Sequence, residues 1–108
     1  MKPAKLIVMY PQPTDIDTFE QRYAGEHVPM AVEKLAGKTR FVASKITLSV
    51  GHDVAPFHRI AEVYFPSMEA LQTCLNSAGG QETAAHAVEI STGGMPVFLL
   101  AEVESFDF

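Results

Sequence analysis

Hydrophobic and polar positions change period several times along this 108-residue chain, and each change marks an element. Residues 5–10 end in the strand formers Leu6-Ile7-Val8-Met9-Tyr10 and stop at Pro11-Gln12-Pro13, where proline removes backbone donors and fixes φ. From Ile16 the period lengthens. Ile16, Phe19, Tyr23, His27 and Met30 recur at three- and four-residue steps, Thr14 and Asp15 are N-cap candidates, and Asp15, Asp17 and Glu20 lie near the positive end of the helix dipole. The pattern predicts a first helix over about residues 15–26. Pro29 disfavours α geometry at Val28 and cannot donate four residues back. A break or kink is expected there, before a helical turn resumes over 30–35 and ends at Gly37.

Residues 39–50 shorten the period again, with Ile46, Leu48 and Val50 facing one way and Lys45, Thr47 and Ser49 the other, which predicts a long second strand. Residues 51–56 are a loop by their Gly and Pro, and residues 57–65 form a third strand paired with the second as a hairpin. One row of that strand is Ala61, Val63 and Phe65; the other is His58, Ile60, Glu62 and Tyr64. Ser67 caps a second helix whose inner stripe is Met68, Leu71, Cys74 and Leu75, ending over 76–80, and residues 81–90 make a further short helix. A loop over 91–96 precedes a last strand from Val97 to Val103, continuing to Phe106.

The order βαββαβ, with one extra helix, is that of an α+β, ferredoxin-like domain: an antiparallel four-stranded sheet with its helices on one face. The length fits a single domain over 1–108. The bare face would gather Ile46, Leu48, Val50, Ile60, Tyr64, Phe98 and Leu100, more exposed apolar surface than a monomer carries, which predicts a homodimer whose sheets enclose a barrel-like cavity.

Composition narrows the partners. At 47% hydrophobic and 19% charged, the chain is that of a self-folding globule. A net charge of −5, with basic residues scattered, argues against nucleic acid. The apolar run 6–10 is too short for a signal-peptide core or a membrane span, and Cys74 is the single cysteine, so a reducing, cytoplasmic location is expected.

Candidate chemistry centres on His27, whose imidazole titrates near neutrality and sits where Pro29 disturbs the helix, leaving carbonyls and space beside the ring. A histidine on an apolar helix face is equally well a structural residue. Tyr23, one turn earlier, offers a phenol to a substrate carbonyl or enolate, or simply buries its ring. Glu62 lies mid-strand, where pairing with His27, Arg59 or Arg40 would keep it charged; a solvent-side or dimer-rim position is the plain alternative. Tyr10, Tyr64 and Phe98 are candidates to line a ligand cavity. The four histidines lack zinc spacing, so no metal is expected.

The segments Asp17-x-Phe19, Tyr23, His27-x-Pro29-Met30, Glu62-Val63-Tyr64-Phe65 and Ser67-Met68-Glu69-Ala70-Leu71 fall in the order of the EthD family, which the chain resembles over nearly its whole length. That family comprises small dimeric α+β barrel proteins named from an ether-degradation gene cluster. The resemblance implies a cofactor-independent enzyme of oxidoreductase or monooxygenase type, acting in a degradative pathway on a small apolar carbonyl or aromatic compound with His27 as base. Polyketide cyclase or isomerase chemistry in the same cavity stands beside it, as does a non-catalytic ligand-binding accessory to a partner oxygenase. The chain has no tryptophan, so the Asn/Trp/His arrangement of quinone-forming and haem-degrading relatives does not carry over.

Overall fold

The structure, a computed structural model, describes residues 2–108. Its elements run β1 (Ala4–Pro11), α1 (Ile16–Arg22), a π-helical turn (Tyr23–His27), α2 (Val28–Lys34), β2 (Arg40–Lys45), β3 (Phe57–Phe65), α3 (Met68–Asn76), α4 (Ala78–Ile90) and β4 (Val97–Glu102). The strands form one antiparallel sheet in the order β2-β3-β1-β4. Ala4, Leu6, Val8 and Tyr10 of β1 and Ala61, Val63 and Phe65 of β3 are buried together with Phe19, Tyr23, Leu71, Ala87 and Ile90 of the helical layer. The fold is therefore the ferredoxin-like α+β arrangement that the hydrophobic periods predict. Among the described residues, no helix is long and apolar enough to cross a membrane.

One irregularity in the sheet redirects a histidine. Tyr10 pairs with Arg59 but Pro11 pairs with Phe57, so the register shifts and His58 is the extra residue of a bulge. The bulge turns His58 out of the row it shares by alternation with Ile60, Glu62 and Tyr64, and sends it toward α1, where it is buried.

Several boundaries differ from the sequence expectation. β2 stops at Lys45: the Ile46 amide still donates to the His58 carbonyl at 2.9 Å, but β3 begins at Phe57 and offers the chain beyond no further partners. Leu48 and Val50, expected on a strand face, are 89% and 101% exposed. β4 ends at Glu102 for the same reason, with only the Val103 amide reaching back to Pro3. Helix α4 starts at Ala78 rather than 81, because Ser77 both ends α3, donating its hydroxyl to the Cys74 carbonyl at 2.5 Å, and caps α4, accepting from the Gly80 amide at 3.0 Å. Gly80 serves close approach here, since a Cβ on it would run into the Cys74 carbonyl.

The open face of the sheet is also composed differently. Phe98 pairs with Val8 and Leu100 with Leu6, which places both on the helix side instead of the bare side. By the same registers Ile7, Met9, Val42, Ile60, Tyr64 and Leu99 share the face without helices.

Candidate active site

Pro29 does not break the first helix. A proline in regular α geometry would lack its amide hydrogen bond and press its ring on the carbonyl of Gly25. The chain instead inserts one wide π turn, in which the Val28 amide donates to the Tyr23 carbonyl, and Pro29 then occupies the first turn of α2, where a missing amide costs little. The helical run is unbroken from Ile16 to Lys34. His27 is the last residue of the π turn and is buried at 5% exposure.

The four-residue row of aromatics stacks as its spacing suggests. Phe19 and Tyr23 lie 5.5 Å apart and 15° from parallel; Tyr23 and His27 follow at 5.8 Å and 21°. Tyr10, reaching across from β1, meets all three edge-on, with centroids 5.4 Å from Phe19, 5.5 Å from Tyr23 and 6.2 Å from His27. Its hydroxyl lies 3.1 Å from Nε2 of His27. Both residues border a cavity of about 30 Å³ between sheet and helices, whose other walls include Val8, Ala61, Thr83, Ala87 and Phe98. Phe98 lines that space yet is 36% exposed, which puts it at the mouth.

Behind His27 the hydrogen bonds continue outward. His27 Nδ1 is 2.9 Å from His86 Nδ1, His86 Nε2 is 3.1 Å from Glu26 Oε1, and Arg22 binds Glu26 at 3.0 Å and also Glu89. The two imidazoles are 8° from parallel with centroids 5.1 Å apart. Two ring radii and the nitrogen–nitrogen gap account for that separation, so the rings meet edge to edge in one plane rather than face to face. Such a contact needs one Nδ1 proton. Burial, and then the neighbouring His86, push the His27 pKa down to about 4, so the ring is neutral near pH 7. Burial raises the Tyr10 phenol well above its ordinary value, and it keeps its proton.

The other expected site residues are not in this group. Glu62 and Tyr64 project from the opposite face of β3: Glu62 pairs with Lys5 at 2.5 Å, and the Tyr64 ring lies beneath Lys5 and Arg40. Neither meets His27, because strand alternation sends them away from the helices that carry it. The cavity holding His27 accordingly lies within one chain, between its helices and sheet, and not on the open face. Tyr23 is close, but its buried hydroxyl has no partner among the described residues and does not line the cavity; burial pushes its pKa up to about 12, against the lowering influence of Arg59, whose guanidinium lies over the ring at 5.1 Å. Tyr10 holds the position expected of Tyr23.

Two groups were not foreseen from sequence. His86 lies 59 positions from His27; its one cue is that a helix over 81–90 sets it three residues from Thr83 and four from Ile90, both inward-facing. Glu20 looks like a helix-dipole residue, yet it receives two hydrogen bonds from Arg59, at 3.0 and 2.6 Å, and lies 3.1 Å from His58. The Arg59 bonds chiefly hold its carboxyl below the usual range. That cluster ties α1 to the bulged end of β3 and fixes the start of the aromatic row.

Residues 11–90 match the EthD domain. An uncharacterised 11.0 kDa protein from the thcB-thcC intergenic region of Rhodococcus erythropolis is 26% identical over 98 residues, 91% of this chain and 93% of its own. An EthD family protein of Bacillus halodurans has a similar structure, with a TM-score of 0.86 at 24% identity, covering 94% of this chain and 99% of that one. For an EthD-like protein of Ralstonia eutropha the values are 0.72 and 20%, covering 94% and 92%. More distant likenesses include a dimeric ferredoxin-like protein of Jannaschia sp. (0.66, 16%, covering 94% and 99%) and a cofactor-independent oxygenase of Streptomyces nogalater (0.62, 11%, covering 100% and 97%). At such identities the structural likenesses show the fold alone. Membership rests on the domain match, whose span runs from the end of β1 to the end of α4 and contains the π turn, His27, Glu26 and His86: the chain belongs to the EthD family.

Proposed function

We propose that this EthD-family protein is a cofactor-independent enzyme that removes a proton from a small, largely apolar carbonyl or aromatic compound. His27 is the general base, and Tyr10 is the donor to the oxygen on which charge develops. The observation that carries this reading is the Tyr10–His27 contact at the wall of a largely apolar cavity. A neutral imidazole is a competent acceptor at Nε2 once the Tyr10 hydroxyl, which donates to that nitrogen at rest, turns its proton to the substrate oxygen. The cavity holds on the order of two water molecules. It therefore suits the reacting end of a substrate, with the remainder resting on Phe98 at the mouth.

Proton removal beside a carbonyl serves oxygenation, cyclisation and isomerisation alike. The cofactor-independent oxygenase that shares the fold favours the first, an oxidative step in breakdown of the compound. We place the protein in the cytoplasm, where its single thiol stays reduced, and as a homodimer through the open face of the sheet.

The test is deuterium uptake from D2O by a panel of anthrones, phenols and cyclic diketones, read by mass spectrometry alongside oxygen consumption. Wild type should exchange at least one class, and His27→Gln should slow exchange by about 100-fold or more. Full-rate exchange by His27→Gln removes the base. Binding with no exchange by wild type makes the protein a ligand carrier instead.

A further inference from the structure

Partners dictate the tautomers along the chain that begins at Tyr10. Glu26 is exposed and its pKa is lowered, first by Arg22 and then by His86, so it is a carboxylate and can only accept. His86 must then carry a proton on Nε2, which leaves its Nδ1 bare as a neutral ring. The Nδ1 proton in the 2.9 Å contact accordingly belongs to His27. That leaves His27 Nε2 bare, to accept from the Tyr10 hydroxyl. Every donor along Tyr10, His27, His86 and Glu26 points the same way, from cavity to surface.

This order resolves a difficulty in the proposed chemistry. A ring that resists protonation until about pH 4 is a poor place to leave a proton at neutral pH. We propose that His86 is the positioning residue through which the site discharges protons: uptake at His27 Nε2 breaks the His27 Nδ1–H bond and forms His86 Nδ1–H. The positive charge then rests on His86, against the Glu26 carboxylate. The electron pairs stay on their nitrogens, and a single proton moves in at one end of His27 as another leaves from the opposite end. Run backwards, the same chain delivers a proton to a product through Tyr10. The His86 side chain is 12% exposed, so the charge reaches the protein surface without a charged imidazole remaining at the cavity wall.

The groups around the pair fit the direction. His27 is faced by the neutral phenols of Tyr10 from β1 and Tyr23 from its own turn, and by His86 from α4. His86 is faced by Glu26, with Arg22 of α1 and Glu89 of α4 beyond it. Only the outer ring has a carboxylate partner. The inference rests on the base reading for its purpose, but the relay can be measured without a substrate.

The experiment is ¹⁵N NMR of the ring nitrogens in histidine-labelled full-length protein, titrated in wild type, Glu26→Gln and His86→Phe. In wild type near pH 7, we expect His27 protonated on Nδ1 and His86 on Nε2, with a scalar coupling between the two Nδ1 atoms. Glu26→Gln, an exposed change that leaves the fold in place, should let His86 carry its proton on either nitrogen, since an amide can donate as well as accept, and should weaken the coupling. His86→Phe should abolish the coupling and move His27 Nδ1. Both rings protonated on Nε2, or a His86 tautomer and coupling unmoved in Glu26→Gln, would overturn the relay. A relay confirmed in this way, together with a His27→Gln variant that keeps full exchange on the carbon-acid panel, would instead sink the base reading and leave the relay standing.

Discussion

An imidazole sealed among aromatics loses more as a cation than as a neutral ring, and at His27 that imbalance reaches stability as well as chemistry. In the unfolded chain the ring titrates at its ordinary 6.5; in the folded chain burial takes it to about 4. Between those values the unfolded state holds a proton that the folded state refuses, so folding weakens as pH falls through the window and recovers as pH rises. The loss across the window is of the order of 3 kcal/mol. Urea denaturation at pH 7 and pH 4 should show it, and His27→Gln should lose about 2 to 3 kcal/mol less than wild type over the same interval. Carboxylates such as Glu20 and Glu26, held below their usual range by Arg59 and Arg22, add acid sensitivity of their own, but equally in both proteins. Matching pH dependence in the two would mean that His27 is not the group that resists protonation.

At the level of elements, two helical glycines separate backbone cost from close packing. Gly25, in the π turn, has nothing within reach of an added Cβ, whereas at Gly80 the Cys74 carbonyl already fills that space. Gly25→Ala should therefore stabilise by about 0.5–1 kcal/mol through helix propensity alone. Gly80→Ala should destabilise by about 1–3 kcal/mol as α3 and α4 are forced apart. Thermal or denaturant melts of both variants check the pair, and a Gly80→Ala protein as stable as wild type would remove the close approach. The same two places show where sequence reading stops. Periodicity carried the presence and order of the strands and the inward aromatic row, though not the end of β2 or the face of Phe98, and residue type carried the caps at Asp15 and Ser67, because each of these is set by neighbours a few residues apart. The π turn was not legible, since Pro29 announces a fault in the helix without saying which repair the chain adopts. The 79–80 glycines looked like a helix end because their demand comes from Lys34 of α2 and Cys74 of α3 and not from their own backbone. His27 stood out, while His86 and the loss of Glu62 and Tyr64 from the site depended on sheet register and on contacts some 59 positions apart, which no local pattern records.

The assembled chain leaves apolar surface on both sides of its edge strand β4: Phe98 and Leu100 toward the helices, and Leu99, 47% exposed, on the open face with Ile7, Met9, Ile60 and Tyr64. An uncovered sheet face of that make-up calls for a partner, and a second copy in two-fold symmetry matches each patch to itself. A stable interface of this kind buries about 1,600 Å² in all, and a carboxylate set at its middle is unpaired and desolvated in both copies at once. Leu99→Asp should therefore weaken association by about 100-fold or more and bring light scattering from twice the chain mass down to 11.8 kDa. A wild-type protein already at 11.8 kDa would remove the homodimer. The monomeric variant has a second use. Tyr10, His27, His86 and Glu26 all come from one chain, and their contacts do not cross the open face. Leu99→Asp should consequently keep the coupling between the two Nδ1 atoms while losing its partner. If the coupling vanished with the dimer, the site would be one that two chains build together, and the cavity first expected between the sheets would return.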